Sequence, residues 1–356
     1  MRISRRARDG WRFASCTALC GLLCATAFAQ PKPSSRGKTY RVEHTWPIGG
    51  DGGWDYLTAD PGAHRLYIGR GNRVQVIDTR DGKLITEIGG LGGVHGVALN
   101  TNGKDGYISD GKAGMVRVFD RATLKVTASL PAQKNPDAII FDPATKRVFA
   151  FNGRSDSATA IDTRTNQVLQ TIPLPGRPEF AQADGDGNVY VNLEDKNQIE
   201  RIDSRTLKTT ANWSIAPCDS PSGMTIDPTH HRVFSVCQNK MMIVLDTHSG
   251  RVVATPAIGN GPDSARFDAR RHLVFSPNGR DGSLTIIRQN SANSYTPIQT
   301  LSTEKGARTM ALDARTGTIY LVTAKFGPPP PATPGSSHHW RSIVPNTFVV
   351  LVVGTK

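Results

Sequence analysis

The sequence lacks the short motifs that mark the common catalytic and cofactor-binding chemistries. It contains no G-x-S-x-G nucleophile motif, no H-E-x-x-H zinc motif, no C-x-x-C-H haem motif and no phosphate-binding P-loop. These absences argue against a serine hydrolase and against a self-contained redox enzyme. The one mostly apolar run, at 13–28, is short and interrupted by polar residues, which argues against a membrane span. Little of the remaining sequence has the residue pattern of a helix.

The first 29 residues have the pattern of an export signal. Five arginines precede the apolar run, which ends at Ala27-Phe28-Ala29, a small-residue cleavage pattern. We therefore predict a signal peptide at 1–29, a flexible tail at 30–38 and a mature protein that is periplasmic or secreted. Either the general secretory or the twin-arginine route fits. The net charge is +13 for the whole chain, and losing the five leader arginines and Asp9 leaves +9. This charge is spread along the chain, which disfavours nucleic acid as a partner.

Cysteine is scarce, with five residues in the chain of 356. Three of them leave with the leader, and only Cys218 and Cys237 remain. We predict a disulfide between these two, because an even number of cysteines in an exported protein suggests pairing. A zinc site would need two more ligands, and none has suitable spacing nearby.

The mature sequence contains a sevenfold repeat. One marker ends at intervals of 41 to 43 residues, at Asp78, Asp120, Asp162, Asp203, Asp246 and Arg288. An aromatic marker runs in phase with it, at Tyr67, Tyr107, Phe149, Tyr190, Phe234, Phe275 and Tyr320. Repeats of this length built from short β-rich segments predict an all-β, seven-bladed β-propeller with four antiparallel strands per blade. The last repeat has three strands, so we expect the N-terminal strand at 41–46 to complete it, within a single domain at 39–356.

Two motifs in these repeats resemble those of YVTN-repeat propellers, the YncE-like exported family. Segments 76–83 and 161–166 are similar to its V-I-D-T-x-T-G/N-x-V pattern, and 142–149 to its D-P-x-x-x-R-x-Y turn. The resemblance extends over all seven blades and implies an exported propeller that binds something. Neighbouring seven-bladed groups include lactonases and the cofactor-bearing propellers of periplasmic redox enzymes, so an enzyme stays open as an alternative.

In a propeller, the residue that starts each inner strand lies at the mouth of the central channel. Counting back five residues from the turn that follows each inner strand gives Asp55, His95, Asp137, Glu179, Ser222, Asp263 and Arg308. Four carboxylates on a basic protein predict a site for a divalent metal or for a cationic or hydroxyl-rich ligand. Their proximity would also raise their pKa values. The alternative is that these residues cap backbone NH groups in a solvated channel.

A second candidate region is a Pro-rich insertion at about 326–346, between the second and third strands of the last repeat. Loops in that position emerge on the face of the mouth, and long loops of this kind often carry function. We expect this insertion to extend the site through His338, His339, Trp340 and Arg341. The alternative is a Pro-rich surface loop without a role in binding.

These features favour a monomeric, non-enzymatic binding scaffold for a small ligand or a periplasmic protein. The first alternative is a metal-dependent, lactonase-like hydrolase, with Asp137, Glu179, Asp263 and His95 as metal ligands or base. The second is an accessory subunit of a periplasmic redox enzyme. A divalent metal at the mouth is the one cofactor that the sequence suggests.

Overall fold

The computed structural model describes residues 39–328 and 342–355, and these residues form seven four-stranded antiparallel sheets. In chain order the strands are β1 (Tyr40–Pro47), β2 (Leu57–Asp60), β3 (Arg65–Arg70), β4 (Arg73–Asp78), β5 (Leu84–Ile88), β6 (Val94–Leu99), β7 (Asp105–Asp110), β8 (Met115–Asp120), β9 (Val126–Pro131), β10 (Pro136–Asp142), β11 (Arg147–Asn152), β12 (Ser157–Asp162), β13 (Gln167–Pro173), β14 (Pro178–Ala183), β15 (Asn188–Leu193), β16 (Gln198–Asp203), β17 (Lys208–Ser214), β18 (Pro221–Asp227), β19 (Arg232–Cys237), β20 (Met241–Asp246), β21 (Arg251–Ala254), β22 (Arg266–Asp268), β23 (Leu273–Asn278), β24 (Ser283–Ser291), β25 (Ser294–Ser302), β26 (Met310–Asp313), β27 (Thr318–Thr323) and β28 (Val349–Thr355). A single 3-10 turn follows β7, at Gly111–Ala113.

The sheets are the blades of a seven-bladed β-propeller, as the repeat predicts. Blade one is β2-β3-β4-β5, blades two to six take the next strands in fours, and blade seven is β26-β27-β28-β1. Each inner strand contacts the inner strand of the next blade, and β26 contacts β2, which closes the ring. No helix of the described residues is long and apolar enough to cross a membrane.

Blade three shows how the sequence produces this architecture. The central strands β11 and β12 are buried along almost their whole length, so they are rich in apolar and small residues rather than alternating. Asp142 ends β10, and its carboxylate accepts hydrogen bonds from the Ala144 NH (3.1 Å) and the Thr145 hydroxyl (2.6 Å). These bonds satisfy backbone groups in the turn. An aspartate at this position, replaced by Asn100 in blade two, therefore fixes the turn that follows each inner strand.

The N-terminal strand closes the ring, as predicted. β1 pairs with β28 in antiparallel register, from Val42 opposite Val353 to Trp46 opposite Val350. The Trp46 ring lies against Gly82 of blade one, where a Cβ atom would come within 2.3 Å of the ring. Gly82 also has a φ of +75°, so this position requires glycine on both counts. Pairing removes the exposed edge that β28 would otherwise present.

Cys218 and Cys237 form the predicted disulfide, with Cα atoms 5.5 Å apart. Cys237 ends β19 and Cys218 precedes β18, so the bond ties the beginning of an inner strand to the end of its neighbour. Both residues are buried within the core that blade five shares with blades three and four. The crosslink therefore lies close to the mouth, where β18 starts.

Candidate binding site at the channel mouth

The predicted mouth residues surround one end of the channel, because each lies at or just before the start of an inner strand. The side chains of Asp55, His95, Asp137, Asp263 and Arg308 are only 18–31% exposed. Ser222 also lies in this ring, but its buried hydroxyl donates a 2.9 Å hydrogen bond to the Pro262 carbonyl. Its hydroxyl therefore supports the backbone next to Asp263.

The closest group of mouth side chains is a histidine between two aspartates. His95 Nδ1 lies 2.7 Å from Asp55 Oδ2 and 3.4 Å from Asp137 Oδ1. Asn135 Nδ2 donates to the other Asp137 oxygen, at 3.3 Å. One ligand atom from each of Asp55, His95 and Asp137 lies within 4.8 Å of the other two. Two carboxylates and an imidazole at this spacing fit a divalent cation such as Mn²⁺ or Zn²⁺.

Asp263 and Arg308 form a second pair on the other side of the ring. Arg308 Nε donates to Asp263 Oδ2 at 2.8 Å, and Arg308 Nη2 donates to the Trp54 carbonyl at 3.2 Å. The neighbouring Thr309 hydroxyl donates to the Asp55 carbonyl at 2.9 Å. Arg308 and Thr309 therefore tie blade seven to the segment that leads into blade one.

Two aromatic side chains close the channel inward of the ring. The Tyr56 hydroxyl donates to Glu179 Oε1 at 3.3 Å, and the Tyr56 ring packs edge-on against Phe180 with centroids 4.9 Å apart. The guanidinium of Arg266 lies 5.4 Å from the centre of the Phe180 ring. Both aromatic residues are more than 90% buried, so their contact fills the channel next to the ring. Sequence reasoning missed this plug, although each aromatic directly follows a mouth residue.

The pKa values of Asp137, Glu179 and Asp263 are raised. Burial, with the charges of Asp55 and Asp263, raises the pKa of Asp137 to about 7, although the His95 charge lowers it. Burial and the charges of Asp137 and Asp263 raise the pKa of Glu179 well above its ordinary value. Burial also raises the pKa of Asp263, against the charge of Arg308. Asp137 thus remains partly protonated near neutral pH.

His95 behaves in the opposite way. Burial lowers its pKa, but the hydrogen bond to Asp55 and the charge of Asp137 outweigh this effect and raise the pKa to about 9. The imidazole is therefore protonated at neutral pH and partly neutralises the two aspartates. A metal ion bound through Nδ1 would have to displace that proton.

The base of the predicted insertion lies on the same face. Phe326 pairs with Ile343 in a short β-bridge, and the Gly327 NH donates to the Ser342 carbonyl at 2.8 Å. The Phe326 ring packs against Trp54, which directly precedes Asp55, with centroids 5.9 Å apart. The predicted binding residues His338, His339, Trp340 and Arg341 lie outside the described residues, so their role stays a prediction.

The fold and the mouth define a class: a seven-bladed β-propeller with a carboxylate-rich channel mouth. No family model matches the chain. Two curated relatives match part of the chain, and both are named uncharacterized protein YncE. The Salmonella typhimurium protein is 27% identical over 152 residues, which cover 41% of this chain and 43% of the relative. The Salmonella typhi protein is 26% identical over the same shares of each chain. Together with the fold, this similarity identifies a YncE-like β-propeller, and the match spans less than half of the relatives' length.

Solved structures share the fold at low sequence identity. Kuenenia stuttgartiensis hydrazine synthase aligns with a TM-score of 0.67 and 16% identity, over 82% of this chain and 95% of that chain. A chain of the mitotic checkpoint complex gives a TM-score of 0.69 and 15% identity, over 86% and 95%. The U3-55K protein aligns with a TM-score of 0.72 and 9% identity, over 88% of this chain and 98% of that chain. Such distant likeness shows the fold alone.

Proposed function

We propose that this protein is an exported propeller scaffold that binds a small ligand at the channel mouth. One observation carries the proposal: His95 lies between Asp55 and Asp137, and Glu179 and Asp263 belong to the same partly exposed ring, next to the contact of Tyr56 with Phe180. Burial, together with the mutual repulsion of these acids, raises the pKa of Asp137, Glu179 and Asp263. A cationic group or a metal ion at the mouth would relieve that repulsion.

The proposal that this protein is exported rests on its leader sequence. The leader at 1–29 has the pattern of a signal peptide, and a disulfide is typical of a protein outside the cytoplasm. The similarity to YncE is compatible with the same location. A periplasmic protein partner on the mouth face, reached by the insertion, belongs to the same proposal.

Native mass spectrometry tests the mouth directly. Residues 30–356 are purified from an oxidising compartment without chelator, as wild type and as the Asp137→Asn, Glu179→Gln, Asp263→Asn variant. A control variant makes the same change of charge at exposed sites, through Asp81→Asn, Asp186→Asn and Glu304→Gln. We expect a bound ion or small molecule in the wild type and the control, and none in the mouth variant. A clean apo mass, with no heat of binding for Mn²⁺, Zn²⁺ or Ca²⁺, would refute the proposal.

A metal-dependent hydrolase is the second candidate, because ligand atoms of Asp55, His95 and Asp137 lie within 4.8 Å of one another. A divalent ion there would polarise a lactone carbonyl and activate water. Glu179, with its raised pKa, would serve as the proton donor. A panel of lactones assayed before and after exhaustive chelation tests this version. Hydrolysis that survives chelation would eliminate the metal-dependent mechanism.

A further inference from the structure

A second concave surface lies beside the mouth, between blades two and three. This cleft has a volume of about 820 Å³ and is bounded by the loop before β6, the turn after β7, the loop between β9 and β10, and Arg154 in the turn after β11. Its size falls in the range of small-molecule sites. The sequence analysis did not anticipate it.

The charged side chains that line the cleft are all basic. They are Lys112, Lys134, Arg154 and His95, and no carboxylate is among the lining residues. Within the described part of the chain, neither lysine nor Arg154 lies within 4.0 Å of an acidic oxygen. Three cations on one concave wall repel one another, and an anion would remove that repulsion.

The carboxylate behind the cleft wall is already neutralised. Asp110 is fully buried, and its Oδ2 accepts a 3.1 Å hydrogen bond from Arg117 Nε. Its Oδ1 accepts the amides of Gly92 and Gly93, at 2.9 and 2.8 Å. Asp110 therefore holds the wall in place without offsetting the charge of Lys112.

The cleft joins the mouth through His95 and Asn135, which line it and also belong to the mouth cluster. His95 Nδ1 faces Asp55, whereas His95 Nε2 lies against Gly111, where a Cβ atom would come within 2.6 Å of it. Asn135 donates to Asp137. A molecule bound in the cleft would therefore lie directly beside the carboxylates of the mouth.

We propose that the cleft binds the anionic end of the ligand, a carboxylate or phosphate group of a small hydroxylated or amino-bearing molecule. This inference rests on the proposed function, in which the hydroxyl or amino group of the same molecule reaches the mouth carboxylates. Arg154 can contact two anion oxygens at once, and the lysines add mobile positive charge. The juxtaposed acidic mouth and basic cleft thus select molecules that carry both kinds of group.

Calorimetry with two probes tests this site: malate as a hydroxylated dicarboxylate and glycerol 3-phosphate as a hydroxylated phosphate. The cleft variant carries Lys112→Gln, Lys134→Gln and Arg154→Gln. A matched control carries Lys240→Gln, Lys305→Gln and Arg280→Gln, exposed residues in the corresponding loops of blades five to seven. We expect the cleft variant to bind its preferred probe about tenfold more weakly or worse, because three charge contacts are lost, and the control to stay within about twofold. The probe that binds more tightly to the wild type identifies the anion class.

The two proposals fail in different ways. In one outcome, a probe binds equally to the wild type and to the mouth variant but weakly to the cleft variant. This result would support anion binding in the cleft and would show that the mouth carboxylates do not bind the same ligand. If a probe binds equally to the cleft variant and to its control, the proposal of anion binding in the cleft is overturned. The cleft proposal is also overturned if neither probe binds to the wild type at millimolar concentration. All substitutions in the cleft are at exposed positions, so thermal unfolding should confirm intact folding in each case.

Discussion

Replacing Asp137 with asparagine tests the electrostatics of the mouth without removing a side chain. Burial and the charges of Asp55 and Asp263 raise the pKa of Asp137 from 3.8 to about 7, against the charge of His95. Asparagine has the shape of the protonated carboxyl group and cannot ionise. The substitution should therefore remove a repulsion that the folded protein bears at neutral and alkaline pH.

The expected pH dependence has a definite sign. The unfolded chain loses the Asp137 proton near pH 3.8, whereas the folded chain keeps it until about pH 7. Between these values the folded state binds more protons, so the contribution of Asp137 to the free energy of unfolding falls as the pH rises. Each pH unit of this window is worth about 1.4 kcal/mol, which gives at most about 4 kcal/mol above pH 7. Because the neighbouring acids take up protons and share the cost, we expect Asp137→Asn to add about 2 kcal/mol at pH 8 and about 0.5 kcal/mol at pH 4.5.

Urea unfolding of residues 30–356, followed by tryptophan fluorescence at both pH values, measures this difference. Glu304→Gln is the matched control, since it removes a carboxylate from an exposed loop on the same face. We expect the control to change the free energy of unfolding by less than about 0.5 kcal/mol at either pH. A variant that is less stable than the wild type at pH 8, or that gains equally at both pH values, would show that Asp137 bears no such repulsion.

Three further changes test the architecture around the mouth. Replacing Cys218 and Cys237 with serine removes a crosslink of sequence separation 19 and should lower the free energy of unfolding by about 3 kcal/mol. In urea unfolding, the wild type under reducing conditions should have the same free energy of unfolding as this variant. Arg308→Met leaves the partly buried Asp263 carboxylate without its ion-pair partner and should cost about 2 kcal/mol. Adding Asp263→Asn should restore most of that loss, and a further decrease would contradict the pairing. Deleting 39–47 removes β1 and exposes the edge of β28, so size-exclusion chromatography should show aggregation in place of the expected monomer.

The repeat was sufficient to predict the fold, because turn chemistry and buried strands recur in every blade. The N-terminal strand expected at 41–46 lies within β1 at Tyr40–Pro47. In blade seven, β27 ends at Thr323 and β28 begins only at Val349. There the insertion interrupts the repeat, so the sequence spacing gives no register.

The mouth was predictable for the same reason, since the symmetry of a propeller brings equivalent positions together at one point. What alignment could not give was the use of each side chain. Ser222 occupies an equivalent position, but its hydroxyl is committed to the Pro262 carbonyl. Arg308 forms an ion pair with Asp263, whereas His95 lies between the carboxylates of Asp55 and Asp137. These choices depend on distances of a few ångströms that a repeat pattern does not encode.

The basic cleft escaped prediction because its residues belong to different loops of two blades and share no repeat position. Among residues 39–328 and 342–355, no acidic oxygen lies within 4.0 Å of Lys112 or Lys134, while Asp55 and Asp137 share one histidine. A cleft with only basic charged side chains and a mouth whose acids repel one another meet at His95, and one bipolar ligand would reduce the repulsion in both. Local departures of this kind from the stable arrangement are expected where a fold carries a binding site.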